Sequence, residues 1–156
     1  MTWSTPEGPR QTPMLAGRLL DTAPYGWSRG ERTLDSYVDD TMSRLGGNGL
    51  TPADREALVI YLKSMKAPPA APPSRLAAAG AGIFMSAGCG SCHTGVTGTD
   101  RKPHADSVGR VPIDTPSLRS VAMTAPYFHD ARYRNLEALL ADSASEMPGI
   151  AGLDDG

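Results

Sequence analysis

The chain has 156 residues, enough for one ordinary domain or two small ones. Apolar residues make up 40% of it, and 17 glycines and 14 prolines, well above average usage, signal much loop. A net charge of −2 gives no electrostatic case for nucleic acid or a membrane surface, and no apolar run approaches the roughly 20 residues needed to span a bilayer.

The opening residues, Met1 to Pro9, lack a charged n-region and an apolar h-region, so no signal peptide is visible. Thr12-Pro13-Met14-Leu15 and then Thr22-Ala23-Pro24-Tyr25 precede an amphipathic helix through Leu34, Val38, Met42 and Leu45, closed by Gly46-Gly47. Thr51-Pro52-Ala53-Asp54 reads as a second helix start. Thr51 is its N-cap, Pro52 takes the first helical position, and Asp54 faces the positive end of the dipole. Leu58, Tyr61, Leu62 and Met65 recur on one face of that helix. Lys66 to Ser74 then carries four prolines in six residues, which favour an extended linker. Ser74 caps a third helix through Leu76, Ile83 and Phe84 that delivers the chain to Cys89-Gly90-Ser91-Cys92-His93. No alternating strand pattern is found. The expected fold class is all-α, with short helices and long loops.

Two thiols three residues apart, followed at once by an imidazole, suit a porphyrin. The thiols add to its two vinyl groups, and the turn between them sets His93 beneath the iron as a ligand. Gly90 and Ser91 are small enough for that turn to lie against the macrocycle edge. Two alternatives stand beside this reading. A thioredoxin-like redox pair wants a βαβ context, which the pattern lacks. A zinc site needs two further ligands, and His104 and His129 lie 11 and 36 residues beyond His93 with no second cysteine pair. The motif therefore points to one covalently attached haem c. Attachment of this kind takes place outside the cytoplasmic membrane, so a periplasmic or extracytoplasmic location is expected.

The sequence repeats itself. Thr12-Pro13, Thr22-Ala23-Pro24-Tyr25 and Leu34 match Thr115-Pro116, Thr124-Ala125-Pro126-Tyr127 and Leu136, with nine residues from tyrosine to leucine in both. Gly49-Leu50 is echoed by Gly152-Leu153. We read residues 1–66 as a partial first module without a haem-attachment motif, 67–74 as the linker, and 75–156 as a haem c-binding module. The first copy is expected to begin after the point where its own CxxCH belongs, and the second to end before a closing helix.

Asp114-Thr115-Pro116-Ser117-Leu118-Arg119, Thr124-Ala125-Pro126-Tyr127-Phe128-His129-Asp130 and Asn135-Leu136-Glu137 resemble the C-terminal haem domain of bacterial di-haem cytochrome c peroxidases and their MauG-like relatives. Gly8 to Pro13, Ala23 to Trp27 and Leu34 are similar to the N-terminal domain of that family after its CxxCH. The resemblance implies two cytochrome c-like modules and an oxidoreductase acting on hydrogen peroxide. It also implies a redox partner protein of the small cytochrome or cupredoxin type. The family's usual catalytic haem sits in the N-terminal domain, whose motif this sequence lacks, so no catalytic residue is assigned.

The resemblance also implies roles for single residues. Met147 stands where family members place a distal methionine ligand; Met123, His129 or an ordinary packing role are the alternatives. Arg119 resembles an arginine near the haem propionates, or is a surface arginine. Pro116 marks a backbone stretch that would hold the second nitrogen of His93. Phe84, Leu118, Tyr127 and Phe128 are candidates for the apolar haem wall, or ordinary core. His129 is expected near the haem without ligating it, or half-exposed and paired with Asp130. His104 is expected to be solvated, and Trp27 to lie in the core.

Overall fold

Each α-helix among the described residues begins on a side-chain oxygen. The computed structural model describes residues 2–5, 8–27, 33–72, 74–105, 112–142, 147, 149–150 and 153. Within them, α1 (Leu34–Arg44), α2 (Pro52–Ser64), α3 (Arg75–Ser86) and the short α4 (Leu136–Leu140) are joined by long loops. Thr33, Thr51, Ser74 and Asn135 accept from the amides of Ser36, Asp54, Ala77 and Ala138 at 2.8–3.2 Å, satisfying donors that the first helical turn leaves open. α1 closes as its glycine pair requires. Gly46 takes φ +76°, and the Gly46 and Gly47 amides return to the Ser43 and Met42 carbonyls. The chain has the expected all-α, cytochrome c-like architecture.

Strands are the exception. Thr2–Thr5 (β1) pairs antiparallel with Gly8–Gln11 (β2), Thr2 opposite Gln11. Pro103–His104 (β3) pairs with Ile113–Asp114 (β4). Pro9 is tolerated because this two-stranded ribbon consists of edges alone, and two-residue strands are too short to show a period. α2 also turns a different face inward. Val59 is buried beside the half-buried Leu58 and Leu62, whereas Tyr61 lies on the exposed side.

The apolar residues gather in two clusters. Leu19, Leu34, Val38 and Val59 form one, joined by Leu15, Tyr25 and Tyr37. Tyr127, Tyr133, Leu139 and Ile150 form the other, joined by Val121, Phe128 and Met147. An apolar hollow of about 230 Å³ opens between α1 and α2, lined by Leu15, Leu34, Met42 and Leu62 among others. After α2 the chain folds back. The Gly17 amide donates to the Met65 carbonyl at 2.9 Å, and Ala67 sits where a Cβ on Gly17 would lie.

The repeat in sequence is also a repeat in geometry. The Tyr25 hydroxyl donates to the Leu19 carbonyl at 2.8 Å, and the Tyr127 hydroxyl to the Val121 carbonyl at 2.9 Å. Both Ala–Pro bonds are cis, and Gly26 and Phe128, each next after the tyrosine, both have positive φ. The copies face one another reciprocally. The Gln11 amide donates to the His129 carbonyl at 2.6 Å, and the Asp114 amide to the Trp27 carbonyl at 2.9 Å. Gln11 precedes the first Thr-Pro and Asp114 the second; Trp27 and His129 stand two residues after the matching tyrosines. Their rings meet edge to face at 6.3 Å.

Side chains reinforce this contact. Gln11 Nε2 donates to the Thr124 and Pro126 carbonyls. Arg18 donates to the Arg119 carbonyl at 2.8 Å and to that of Ser117, while Arg119 Nη1 reaches back to the Leu20 carbonyl at 2.7 Å. Arg18→Met keeps the aliphatic stem but removes donors from two carbonyls. A loss of about 1–3 kcal/mol in urea unfolding is expected, against a change near zero for a charge swap at exposed Lys63.

Candidate haem-attachment site

α3 ends in a sharp turn that presents both thiols. The Ala87 and Gly88 amides close on the Ile83 and Met85 carbonyls, and Gly88 takes the left-handed φ of +78°. A 3-10 turn follows over Cys89–Ser91, and the His93 amide donates to the Cys89 carbonyl at 3.0 Å. Cys89 and Cys92 are free thiols, both half-buried.

His93 is held at one nitrogen. Nδ1 lies 3.0 Å from the Gly98 carbonyl. A carbonyl only accepts, so Nδ1 carries the proton and Nε2 keeps its lone pair for a metal. The sequence reading assigned this hold to the backbone before Pro116. The structure assigns it to Gly98, because tight turns over 94–99 bring that carbonyl back to the ring. The Gly98 amide bonds to Gly95 at 3.2 Å and the Thr99 amide to Thr94 at 3.1 Å. Pro116 is exposed, and its neighbours serve as clasps. Thr99 Oγ1 donates to the Thr115 carbonyl at 2.6 Å, and Ser117 Oγ to the Thr97 carbonyl at 2.5 Å, all four residues being buried. Gly98 has φ +63°, and a Cβ there would lie 2.8 Å from the Leu118 side chain. A larger residue at 98 would displace the carbonyl that aims His93.

Among the described residues, much of the apolar surface around the motif is exposed. α3 has no buried residue, and Ile83 and Met85 are 55% and 68% exposed beside the cysteines. The Phe84 ring stands 6.5 Å from the His93 ring. A Cβ on Gly90 would lie 2.9 Å from Met85 Sδ, so the turn closes tightly under α3. Paired thiols, a half-fastened imidazole and apolar side chains exposed among the described residues fit a large flat apolar group attached at Cys89 and Cys92.

The other candidates divide. Phe84 and Leu118 lie at the His93 site. Tyr127 is buried in the second cluster; Phe128 packs there on Tyr133, with the Arg132 guanidinium 4.7 Å from its ring centre. Met147 packs against the same cluster, and Gly149 lies against the Ala87 carbonyl, which returns this segment to the attachment turn. Ser145, Glu146 and Pro148 lie outside the described residues, as do Gly152 and Asp154. Arg119 has its guanidinium on the Leu20 carbonyl, 99 positions away. Met123 is exposed, and His129 is buried between Trp27 and Phe128. Asp130 pairs with Arg132 at 2.9 Å, and the neighbouring His129 also acts on its carboxylate. Thr97, Gly98, Thr99 and Arg18 escaped the sequence reading. Gly95 and Gly98, so soon after His93, were the one available signal.

No known protein family and no curated protein matches the chain. Among solved structures it is similar to the Kuenenia stuttgartiensis hydrazine synthase pressurised with 20 bar xenon, at 17% identity with a TM-score of 0.77. The likeness covers 89% of this chain and 66% of that one, so the chain spans just under two thirds of its neighbour's length. At that identity the shared feature is the fold.

Beside the site, one carboxyl is out of the ordinary. Asp114 is pushed up to about 7 by burial, with the Asp100 carboxylate adding to the effect against His104 and the Thr115 amide. Its Oδ1 is buried without a hydrogen-bond partner. The folded chain thus keeps a proton that the unfolded chain releases near pH 4. Stability contributed by protonated Asp114 is complete below the unfolded value and is lost as pH rises through about 7. Asp114→Asn should flatten the fall in urea midpoint between about pH 4 and pH 7, and raise the midpoint at neutral pH.

Proposed function

We propose that the chain is a c-type cytochrome module carrying one haem c on Cys89 and Cys92, with His93 Nε2 as an iron ligand, and that it transfers electrons. The observation that carries this reading is the Nδ1–Gly98 hydrogen bond within a CxxCH turn, since it leaves the imidazole in the tautomer a metal requires. When bound, the haem supplies a one-electron iron couple. The protein's part is positional and electrostatic. The Gly98 carbonyl fixes the orientation of the imidazole, and its loop, clasped by Thr99 and Ser117, resists rotation of the ring. With the haem bound against them, Phe84, Ile83 and Met85 would lower the local dielectric. Met147 would be the second side chain to hold the iron in this reading, supported by its neighbour Gly149 against Ala87.

Residues 1–66 and 75–156 are two modules joined by the 67–74 linker, as the two apolar clusters and the reciprocal contact between copies support. The module works in the periplasm or outside the cell, where haem is joined to thiols, and exchanges electrons with a small cytochrome or cupredoxin. No helix among the described residues is long and apolar enough to cross a membrane. The matched tyrosine–carbonyl bonds of the two halves favour a second reading, in which the chain is part of a di-haem peroxidase-type oxidoreductase acting on hydrogen peroxide.

Protein matured in an export-competent host should give the pyridine haemochrome of a haem with both vinyl groups saturated. Cys89→Ser should shift that band to longer wavelength, as one vinyl group stays unreacted; haem lost to acid–acetone extraction of the unaltered chain contradicts the reading. Met147→Ala should remove the weak long-wavelength iron–sulfur absorption of the oxidised protein. If the band persists, Met147 is not the ligand.

A further inference from the structure

Cys92 has a second set of neighbours that haem attachment does not use. Its Sγ, a carboxylate oxygen of Asp100 and a ring nitrogen of His104 all lie within 4.8 Å of one another. Sequence spacing argued against a zinc site because His104 falls 11 residues after His93. The fold removes that objection. Arg101, at φ +59°, reverses the chain after Asp100, and the β3–β4 ribbon holds His104 opposite Ile113. Asp100 Oδ1 accepts from the Lys102 amide at 3.1 Å, and its Oδ2 faces His104 Nε2 at 2.8 Å. The Asp100 side chain is only 12% exposed. Asp114, with the unpartnered Oδ1, stands opposite Pro103 in the same ribbon.

We infer that the chain whose Cys92 is not yet joined to haem binds a divalent transition-metal ion of the zinc class through Cys92, Asp100 and His104, so that metal binding and haem attachment at Cys92 exclude one another. Thiolate, imidazole and carboxylate are the donor types that tetrahedral zinc takes from proteins. Bond lengths of about 2.0–2.3 Å put such donors roughly 3.3–3.8 Å apart, which these three atoms reach by small side-chain rotations. The ion replaces the proton shared between Asp100 and His104 and takes the thiolate in place of the thiol, with Asp114 or water as fourth ligand. Once the Cys92 sulfur is a thioether it loses its charge, and the site loses its strongest donor. The site needs only the free thiol, so it stands or falls separately from the haem reading.

Cobalt(II) titrated into the reduced, haem-free full chain tests this. One equivalent should bind with a sulfur-to-cobalt charge-transfer band and the visible bands of tetrahedral cobalt. Cys92→Ser should abolish the charge-transfer band, and His104→Ala and Asp100→Asn should each weaken binding by about tenfold or more. Cys89→Ser should bind as the unaltered chain does. His104 is half-exposed, so its removal leaves the fold intact; matching circular dichroism of that variant checks this. Loss of binding in Cys89→Ser with none in His104→Ala would place the ion in the CxxCH turn and overturn the proposal. Absence of the sulfur-to-cobalt band in the unaltered chain would overturn it outright.

Discussion

An imidazole's orientation is set by what holds one of its nitrogens, and here one backbone carbonyl holds His93. The Gly98 carbonyl fixes the tautomer and the orientation of His93 together. That carbonyl has no regular secondary structure around it. It is kept in place by turns over 94–99, by Thr99 and Ser117 bonding across to each other's loops, and by Leu118 filling the space beside Gly98. The 115–119 strip is gripped in turn by Arg18 from the other half of the chain. The site's geometry therefore depends on the contact between the two repeats.

That dependence explains how so small a core suffices. Each repeat buries four hydrophobic residues among those described, and neither contains a completely buried large side chain. Hydrogen bonds between the copies supply much of the missing order. The reciprocal amide pair, Gln11 to His129 and Asp114 to Trp27, joins matching positions of the two sequence repeats. Burial at that seam has an electrostatic consequence, since Asp114 is held there with one oxygen unpartnered and keeps its proton near neutrality. The apolar face of α3, exposed among the described residues, is the opposite case, a surface that a bound macrocycle would shield.

Local rules were legible in the sequence. Thr51, Pro52 and Ser74 marked helix starts because capping is settled within four residues, and the repeat showed itself in identical tetrapeptides. The CxxCH turn was legible for the same reason. The partner of His93 was not, because it depends on three-dimensional closure of a loop whose one cue was its glycines. Arg119 shows the limit of residue-by-residue resemblance. Its guanidinium serves the seam between repeats, bonding to Leu20, a contact across 99 positions that no local pattern contains. The ribbon of β3 and β4 was equally invisible, and it is what brings His104 and Asp114 to one place.

Mass spectrometry of the full chain, matured where haem is joined to exported proteins and then denatured and reduced, tests the central claim most directly. The account predicts one haem retained per chain, on the peptide that contains both Cys89 and Cys92. Recovery of the bare chain, with both thiols open to alkylation, would contradict it.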